Sequence, residues 1–552
     1  IIMKQITYVL IIAFLSTSFT VSNNDGKEKK DDKKVNTEME KRLQNYAKVE
    51  LTANLDDFTY EQKKMLGILI DVADIMDEIF WIQFIAPKDE FLSKIDDEAT
   101  KAYAKINYGP WDRLNGNKPF IEGYGEKPPG AQFYPEDITK KEFENWDNKN
   151  KNSWYTMVRR DTEGELMNIW YHEFFETKVK KAADLLETAA KLAENPWFKK
   201  YLKFRAEALR TDEYLSSDLA WLNLKDNQID FMVGPIALFE DKFMGYRAAH
   251  STQLLIKDIE WSKKLTHFGE LMPELQATLP VSDEYKAKKV HTQVYTVYNN
   301  IYSAGSCNAG SKYISINLLH DLRIQGVGSS RQLLLKNIIE AKFSEIMVPM
   351  SEILIVEEQQ DNITFDAFFE NLTFYEMAWD LGITQTVTGE GSVRDVLKET
   401  FGAIEGAKTD ITSLYLITKL HEMGEFPESD LKDNYVTFLA NILRSIRYGY
   451  GIPIPQGKSS MLEFNHLKEN GAIERTTNGK YKINFEKMKE VVSDFCGFLI
   501  KTEGHGNYEY AKLMVQQKAK VDETLGSDIE RVNQANVPKD VIFEQGKEIL
   551  GL

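Results

Sequence analysis

The sequence is poor in the residues that build soft-metal sites: its 552 residues include only two cysteines, Cys307 and Cys496, and eight histidines. Two cysteines exclude a disulfide-dense scaffold and any cysteine-rich zinc or iron–sulfur site. A soft-metal site would therefore need histidines together with carboxylates. Basic residues are also in the minority, 68 against 85 acidic ones, for a net charge of −17. No basic stripe is visible, so no nucleic-acid partner is predicted.

No apolar run near the N-terminus is long enough for a spanning helix, which needs about 20 apolar residues. Lys4 is followed by the largely apolar stretch 6–15 and by small polar residues, which is typical of a secretory signal peptide; a buried N-terminal helix is the alternative. We predict a signal peptide at 1–22, a charged tether at 23–36, and export to a periplasm or beyond the cell. No cysteine follows the apolar stretch, so no lipid anchor is predicted, and no membrane span is predicted once the signal is removed.

Most of the chain has the composition of a folded protein, because 43% of its residues are hydrophobic. Helical spacing of apolar residues covers 37–105, 165–222 and 331–450, and strand-like alternation covers 228–240, 294–302 and 313–318. Residues 106–155 are rich in glycine, proline and aromatic residues, which favours an ordered loop region. The sequence therefore predicts a helix-rich α+β fold with a minor sheet around 228–320.

A helical HExxH motif, which places two imidazoles on one helix face beside a glutamate, is absent. His172-Glu173 and His421-Glu422 have no second histidine at the required spacing, so they are predicted to be surface or capping groups. Two apolar helical segments instead carry acids: FDAFFENLTFYEMAWDLG (365–382) contains Glu376, and AIEGAKTDITSLYL (403–416) contains Glu405. Burying an unpaired carboxylate is costly, so each acid either pairs with Lys408 or an arginine, or serves a function.

These two segments resemble the zinc helices in the bacterial branch of the dipeptidyl-peptidase III family of zinc metallopeptidases, whose members are often labelled Nudix-like or zinc-dependent hydrolases. That branch carries FHEVAHGLG and LEExKADIxGLY at these places. The similarity continues, in the same order, through 234–236, 307–312, 316–317, 435–438, 443–449 and, more weakly, 541–546.

The resemblance implies two lobes around a wide cleft, a lower lobe with a small β-sheet or barrel core and an all-helical upper lobe that bears the zinc site. Residues 37–255 would form mainly the lower lobe, 256–330 would cross between the lobes and supply strands, and 331–552 would form mainly the upper lobe.

The chain differs from the family at the positions that bind the metal. The two zinc histidines fall on Tyr375 and Trp379, and the zinc-binding glutamate falls on Gly406. Glu376, at the general-base position, and Glu405, the outer acid, are retained. Zinc needs about three protein ligands to hold a reactive water, so no zinc and no other metal is predicted here. Tyr375 and Trp379 would either form a stacking surface for a ligand or fill the space of the metal.

Substrate positions implied by the resemblance are also altered. The degenerate ones are Ala237, Phe239, His320 and Gln456, and the retained ones, predicted to bind a ligand, are Asn308, Asn317 and Arg447.

These departures predict a catalytically inactive homologue that binds a peptide or small molecule in the cleft, or a protein partner of the cell envelope, and the predicted signal peptide implies that it is exported. The alternatives are an active zinc exopeptidase that releases dipeptides from the N-terminus of short peptides, an adaptor that acts through its outer surface, and a new chemistry that uses Glu376, Glu405, Tyr375 and His320.

Overall fold

The described part of the chain comprises residues 37–288, 290, 294–317, 323–324, 331–379, 381–426, 430–449 and 455–552 of a computed structural model. The side chains of Val294, Asn317, Pro455 and Gln456 are not part of that description. The predicted signal peptide and tether lie outside the described residues, as does His320. Within the described residues, no helix has both the length and the apolar character that a membrane crossing requires.

Helices dominate the described chain, as predicted. The first third contains α1 (Glu38–Leu43), β1 (Tyr46–Glu50), α2 (Tyr60–Phe84), α3 (Lys88–Leu92), α4 (Glu98–Asn107), β2 (Trp111–Asp112), β3 (Lys118–Pro119), α5 (Lys140–Asn145), β4 (Thr156–Arg160), β5 (Leu166–Trp170), α6 (Tyr171–Phe174) and α7 (Glu176–Leu192). The middle contains α8 (Pro196–Thr211), α9 (Leu215–Leu222), β6 (Ile229–Ala237), β7 (Ala249–Lys257), α10 (Ile259–Ala277), β8 (Val294–Gly305), β9 (Ser315–Asn317), β10 (Arg331–Leu335), α11 (Lys336–Lys342) and α12 (Val348–Leu354). The last third contains α13 (Phe365–Ala378), α14 (Val393–Leu397), α15 (Phe401–Met423), α16 (Leu431–Gly449), α17 (Pro455–Glu469), β11 (Ile473–Arg475), β12 (Tyr481–Ile483), α18 (Phe485–His505), α19 (Tyr508–Lys518), α20 (Glu523–Gln534), β13 (Asp540–Glu544) and α21 (Lys547–Leu550).

The largest sheet has five strands in the order β6-β7-β8-β10-β9, so β6 and β9 are its edges. Neighbouring strands are antiparallel except β8 and β10, which are parallel. The predicted mainly helical α+β fold is confirmed, with differences in the sheet: β7 was not predicted, and β10 falls in a stretch predicted to be helical. Both strands are buried almost throughout, so their sequences lack the alternation that marks a half-exposed strand.

Two hydrophobic cores meet at this sheet. The first draws on residues between Leu55 and Ile338, and the second on residues between Leu265 and Val537. Successive side chains of β10 point to opposite faces, so Leu333 packs in the first core and Leu334 in the second. This arrangement is consistent with two lobes; the domain boundaries given above and the width of the cleft stay predictions.

His250 on β7 makes stability sensitive to acid. Its ring is fully buried, 5.3 Å from the ring centroid of Tyr171 and 5.9 Å from that of Phe175. Neither ring nitrogen has a hydrogen-bond partner among the described residues, and burial lowers the pKa of His250 from 6.5 to about 3. The unfolded chain therefore binds this proton more readily than the folded one. The contribution of the neutral ring to stability is complete above pH 6.5 and is lost as the pH falls towards 3.

We expect His250→Leu to remove this acid sensitivity. Between pH 7.5 and pH 5.0 the stability of the unaltered chain should fall relative to the variant by up to about 2 kcal/mol, because each unit of pH below 6.5 is worth about 1.4 kcal/mol. Urea unfolding at both pH values measures the difference, with the exposed His267→Leu as the matched control. A variant that keeps the pH dependence of the unaltered chain would contradict this expectation.

Candidate functional site

The candidate site lies on α13, α15 and α17 in the second core, where α15 packs against both α13 and α17. Thr364 caps the start of α13 by accepting a hydrogen bond from the backbone N–H of Ala367. Helical spacing then places Tyr375 and Trp379 one turn apart at the end of α13, with ring centroids 6.3 Å apart. Burial raises the pKa of Tyr375 well above 10, and the nearby acids raise it further. Those acids are Asp410, Glu376, Glu463 and Glu405.

Glu376 is held by the large sheet. Ser315 Oγ donates to Glu376 Oε1 at 2.6 Å, and Gln332 Nε2 donates to Glu376 Oε2 at 2.8 Å. The Tyr295 hydroxyl donates to the backbone oxygen of Glu376 at 3.2 Å. Burial raises the pKa of Glu376, although the two side-chain hydrogen bonds partly oppose the shift. Each carboxylate oxygen thus accepts a hydrogen bond from a neutral side chain.

Glu405 has a structural partner. Lys408 Nζ lies 2.7 Å from Glu405 Oε1 and 3.6 Å from Glu503 Oε2, and all three side chains are buried. Burial alone would lower the pKa of Lys408, but Glu503 and Glu405 raise it to about 12. An acid at position 405 was expected either to pair with a cation or to serve a function, and the structure shows that Glu405 pairs with Lys408.

At Gly406, the third position where the resemblance implies a zinc ligand, a neighbouring helix leaves no room for a side chain. A Cβ atom at residue 406 would overlap Ser459 Oγ of α17 and would lie 3.1 Å from Ser459 Cβ. Ser459 therefore occupies the space that an acidic side chain at 406 would need. At the other end of the site, the indole of Trp379 is 45% exposed.

An acid pair, the half-buried Asp410 and the fully buried Glu463, lies beside Tyr375. Burial raises the pKa of Asp410 to about 7, and burial together with Asp410 raises the pKa of Glu463 well above its usual range. Neither residue is among those predicted from the sequence. The sequence pattern that singles out Glu376 is an acid inside an apolar helical segment. The same pattern could have identified Asp410 on α15 and Glu463 on α17.

The residues at the three positions where the resemblance implies zinc ligands do not fit zinc. Protein zinc sites use cysteine, histidine and carboxylate ligands, whereas these positions offer a protonated phenol, an indole and a glycine. No group of three histidine, cysteine, aspartate or glutamate side chains within the described ranges could hold a metal ion. His172 bonds Asp212 at 2.8 Å, and His421 bonds Asn434 at 3.1 Å.

Ala237 and Phe239 line a small pocket of about 120 Å³, whose walls include residues of both edge strands, β6 and β9. Phe239 is 60% exposed, and its ring lies 5.9 Å from that of Tyr313 at an interplanar angle of 32°. Ser315, which donates to Glu376, is part of the same wall. The lining carries no charged side chain: it consists of Met232, Ile236, Ala237, Phe239, Ser251, Gln253, Cys307, Tyr313, Ser315 and Ile316.

Arg447 and Asn308, which are predicted to bind a ligand, form hydrogen bonds to other parts of the protein. Arg447 donates to Asn533 Oδ1 at 3.0 Å and to the backbone oxygens of Pro538 and Val537 at 2.8 and 2.5 Å. Asn308 Nδ2 donates to the Tyr108 hydroxyl at 3.2 Å. Neither residue lines the pocket. The positions of the Asn317, His320 and Gln456 side chains lie outside the described structure, so their roles stay predictions.

The chain is similar to known proteins over most of its length. No family model matches the chain. "Nudix hydrolase 3" of Arabidopsis thaliana is 30% identical over an alignment 578 positions long, which covers 92% of this chain and 74% of the relative. The solved structure of dipeptidyl-peptidase III from Caldithrix abyssi superposes with a TM-score of 0.88 and 35% identity, covering 92% of this chain and 100% of that one. The dipeptidyl-peptidase III structure from Corallococcus sp. strain EGB gives a TM-score of 0.76 and 27% identity, covering 92% and 96%.

Proposed function

The chain belongs to the dipeptidyl-peptidase III family, and from that membership we propose that it is a catalytically inactive relative that binds a peptide or small molecule. One observation carries the proposal. The three positions that bind zinc in the resembling branch hold Tyr375, Trp379 and Gly406, while the scaffold around them is retained. Ser459 fills the space beside Gly406, as expected for a helix interface that packs without a metal.

The side chains around Glu376 support inactivity. Ser315 and Gln332 hold the two Glu376 oxygens by hydrogen bonds, and a general base at this position needs a metal-activated water, for which Tyr375, Trp379 and Gly406 offer no histidine or carboxylate ligand. The adjacent phenol of Tyr375 holds its proton because its pKa is well above 10. The indole of Trp379 is neither a nucleophile nor a polarising group. These side chains support the proposal that the chain does not hydrolyse peptide bonds.

Ligand binding is supported by the pocket between β6 and β9. Both strands are sheet edges, and an edge can pair with the backbone of an extended peptide. The exposed ring of Phe239 and the partly exposed ring of Tyr313 offer apolar contact beside the pocket. We also propose that the protein is exported to the periplasm or the cell exterior, because residues 1–22 resemble a signal peptide.

The proposal is tested on residues 23–552 with a library of four- to six-residue peptides. We expect no chelator-sensitive release of dipeptides above the level of the Glu376→Gln variant. A binding peptide at about 100 times its dissociation constant should stabilise the fold by about 2.7 kcal/mol in thermal unfolding. Ala237→Leu should abolish that stabilisation by filling the pocket, whereas the exposed Ala535→Leu should not.

Two results would count against the proposal. Stoichiometric zinc together with dipeptide release that Glu376→Gln abolishes would establish the active exopeptidase instead. Stabilisation by no peptide would remove the cleft as a binding site and favour an adaptor that acts through its outer surface.

A further inference from the structure

A second concave surface lies away from the pocket beside Glu376. Two adjoining hollows of about 590 and 540 Å³ share Lys225 and Asp226 as walls and together run from α8 and α9 to the start of α10. We call this surface the lysine groove. Its lining shares no residue with the small pocket near Phe239.

The groove exposes large apolar side chains. Trp197 and Ile259 are 57% and 52% exposed, and Phe204 and Leu219 are each 37% exposed. Trp197 and Phe204 are two turns apart on one face of α8, and Leu219 on α9 lines the same hollow. Clustered exposed apolar side chains of this kind mark interaction sites, since folding alone gains nothing from exposing them.

The charge of the groove is opposite to that of the chain. Its lining contains four lysines, Lys200, Lys225, Lys257 and Lys263, but Asp226 is its sole acid. None of the four lysines forms an ion pair with an acid in the described part of the chain, although the chain carries 85 acidic residues.

The contacts of Lys200 and Lys257 are with aromatic rings and a backbone oxygen, and Asp226 and Asp230 attract the ammonium of Lys257 without forming an ion pair with it. Lys200 Nζ lies over the rings of Trp197 and Phe204, 5.7 and 5.4 Å from their centroids, and Lys257 Nζ donates to the backbone oxygen of Lys225 at 2.7 Å. The groove is thus a local cationic surface on an acidic protein.

We propose that the lysine groove binds an acidic peptide segment of a partner protein, with an apolar or aromatic side chain of that segment on Trp197, Phe204 and Leu219. Unpaired ammonium groups bind carboxylates through charge-assisted hydrogen bonds, and the aromatic floor supplies the kind of contact that dominates interface energy. Concavity favours a peptide over a bilayer, because a flat lipid surface cannot enter two hollows. The acidic remainder of the protein repels such a segment, so attraction is confined to the groove.

The test uses a fluorescein-labelled nonapeptide that alternates glutamate with leucine around a central tryptophan, and a counterpart with lysine in place of glutamate. Fluorescence anisotropy should show saturable binding of the acidic peptide alone, weakened about tenfold between 50 and 300 mM salt. The double variant Lys200→Glu/Lys225→Glu should weaken binding at least about tenfold. Trp197→Ala should weaken it several-fold through the apolar contact.

The matched control is Lys180→Glu/Lys181→Glu on α7, where the lysines share a hollow with Glu176 and Asp184 and so carry no excess charge. It should bind the acidic peptide as the unaltered chain does. The proposal would be overturned if the control variant lost as much affinity for the acidic peptide as Lys200→Glu/Lys225→Glu does. It would also be overturned if the unaltered chain bound the basic peptide as tightly as the acidic one. Lysine-dependent binding to phosphatidylglycerol vesicles without binding of the acidic peptide would likewise overturn it and would assign the groove to lipid. Unaltered urea midpoints for the variants confirm that folding is intact.

Discussion

A chain that carries Tyr375→His, Trp379→His, Gly406→Glu and Ser459→Ala together is expected to bind one zinc ion, whereas the unaltered chain is expected to bind none stoichiometrically. The two histidines would lie one turn apart on α13, and the glutamate would project from α15, which packs against it. This donor set is the one that the unaltered chain lacks. At a free zinc concentration of 1,000 times the dissociation constant, the metal should stabilise the fold by about 4.1 kcal/mol.

The fourth substitution follows from the contact between Gly406 and Ser459. A side chain at 406 overlaps Ser459 Oγ, so the triple variant must displace that hydroxyl before its glutamate can reach a metal. Ser459→Ala removes the overlap and leaves the Cβ contact at 3.1 Å, which a shift of a few tenths of an ångström relieves. We therefore expect the triple variant to bind zinc at least about tenfold more weakly than the quadruple variant, the equivalent of about 1.4 kcal/mol.

Metal content after gel filtration and zinc titration calorimetry measure both effects, and Ser459→Ala alone is the control that should bind no zinc. A quadruple variant that folds but takes up no metal would show that the ligand positions are assigned wrongly. Stoichiometric zinc in the unaltered chain would refute the inactive state itself.

The sequence predicts the helical part of the fold and the chemistry of single positions better than it predicts contacts. Apolar spacing and resemblance to a family predict Tyr375, Trp379 and Gly406 as altered positions of a motif, and this assignment stays a prediction that the zinc experiment tests. β10 was missed because RQLLL is buried on both faces and has the pattern of a buried helix as much as of a strand.

The partners of the site residues were not predictable. Ser459 reaches Gly406 from another helix, and Ser315 and Gln332 reach Glu376 from two strands of the sheet. Such pairings depend on how helices and strands pack in three dimensions, which local patterns do not encode.

Lys408→Met is expected to destabilise the fold by about 3–5 kcal/mol at pH 8, because it leaves Glu405 and Glu503 buried without their cation. Lys419→Met on the same helix is the matched control. Lys419 also pairs with a glutamate three residues later, Glu422, at 2.9 Å, but that pair is partly exposed. Its loss should cost no more than about 1 kcal/mol. Urea unfolding measures both, and equal losses would show that the buried pair has no special role.

The pH dependence separates this explanation from a simple packing defect. Burial raises the pKa of Glu503 well above its usual range, and Lys408 opposes that shift. Without Lys408, the pKa of Glu503 in the folded variant lies higher than in the folded unaltered chain, so the variant gains more stability than the unaltered chain as the pH falls. The loss from Lys408→Met should therefore shrink between pH 8 and pH 5, and Lys408→Met/Glu503→Gln should recover part of it at pH 8. A loss that is constant with pH would indicate a cavity instead. If the pH dependence holds, position 405 keeps its acid for the ion pair with Lys408, and its retention says nothing in favour of catalysis.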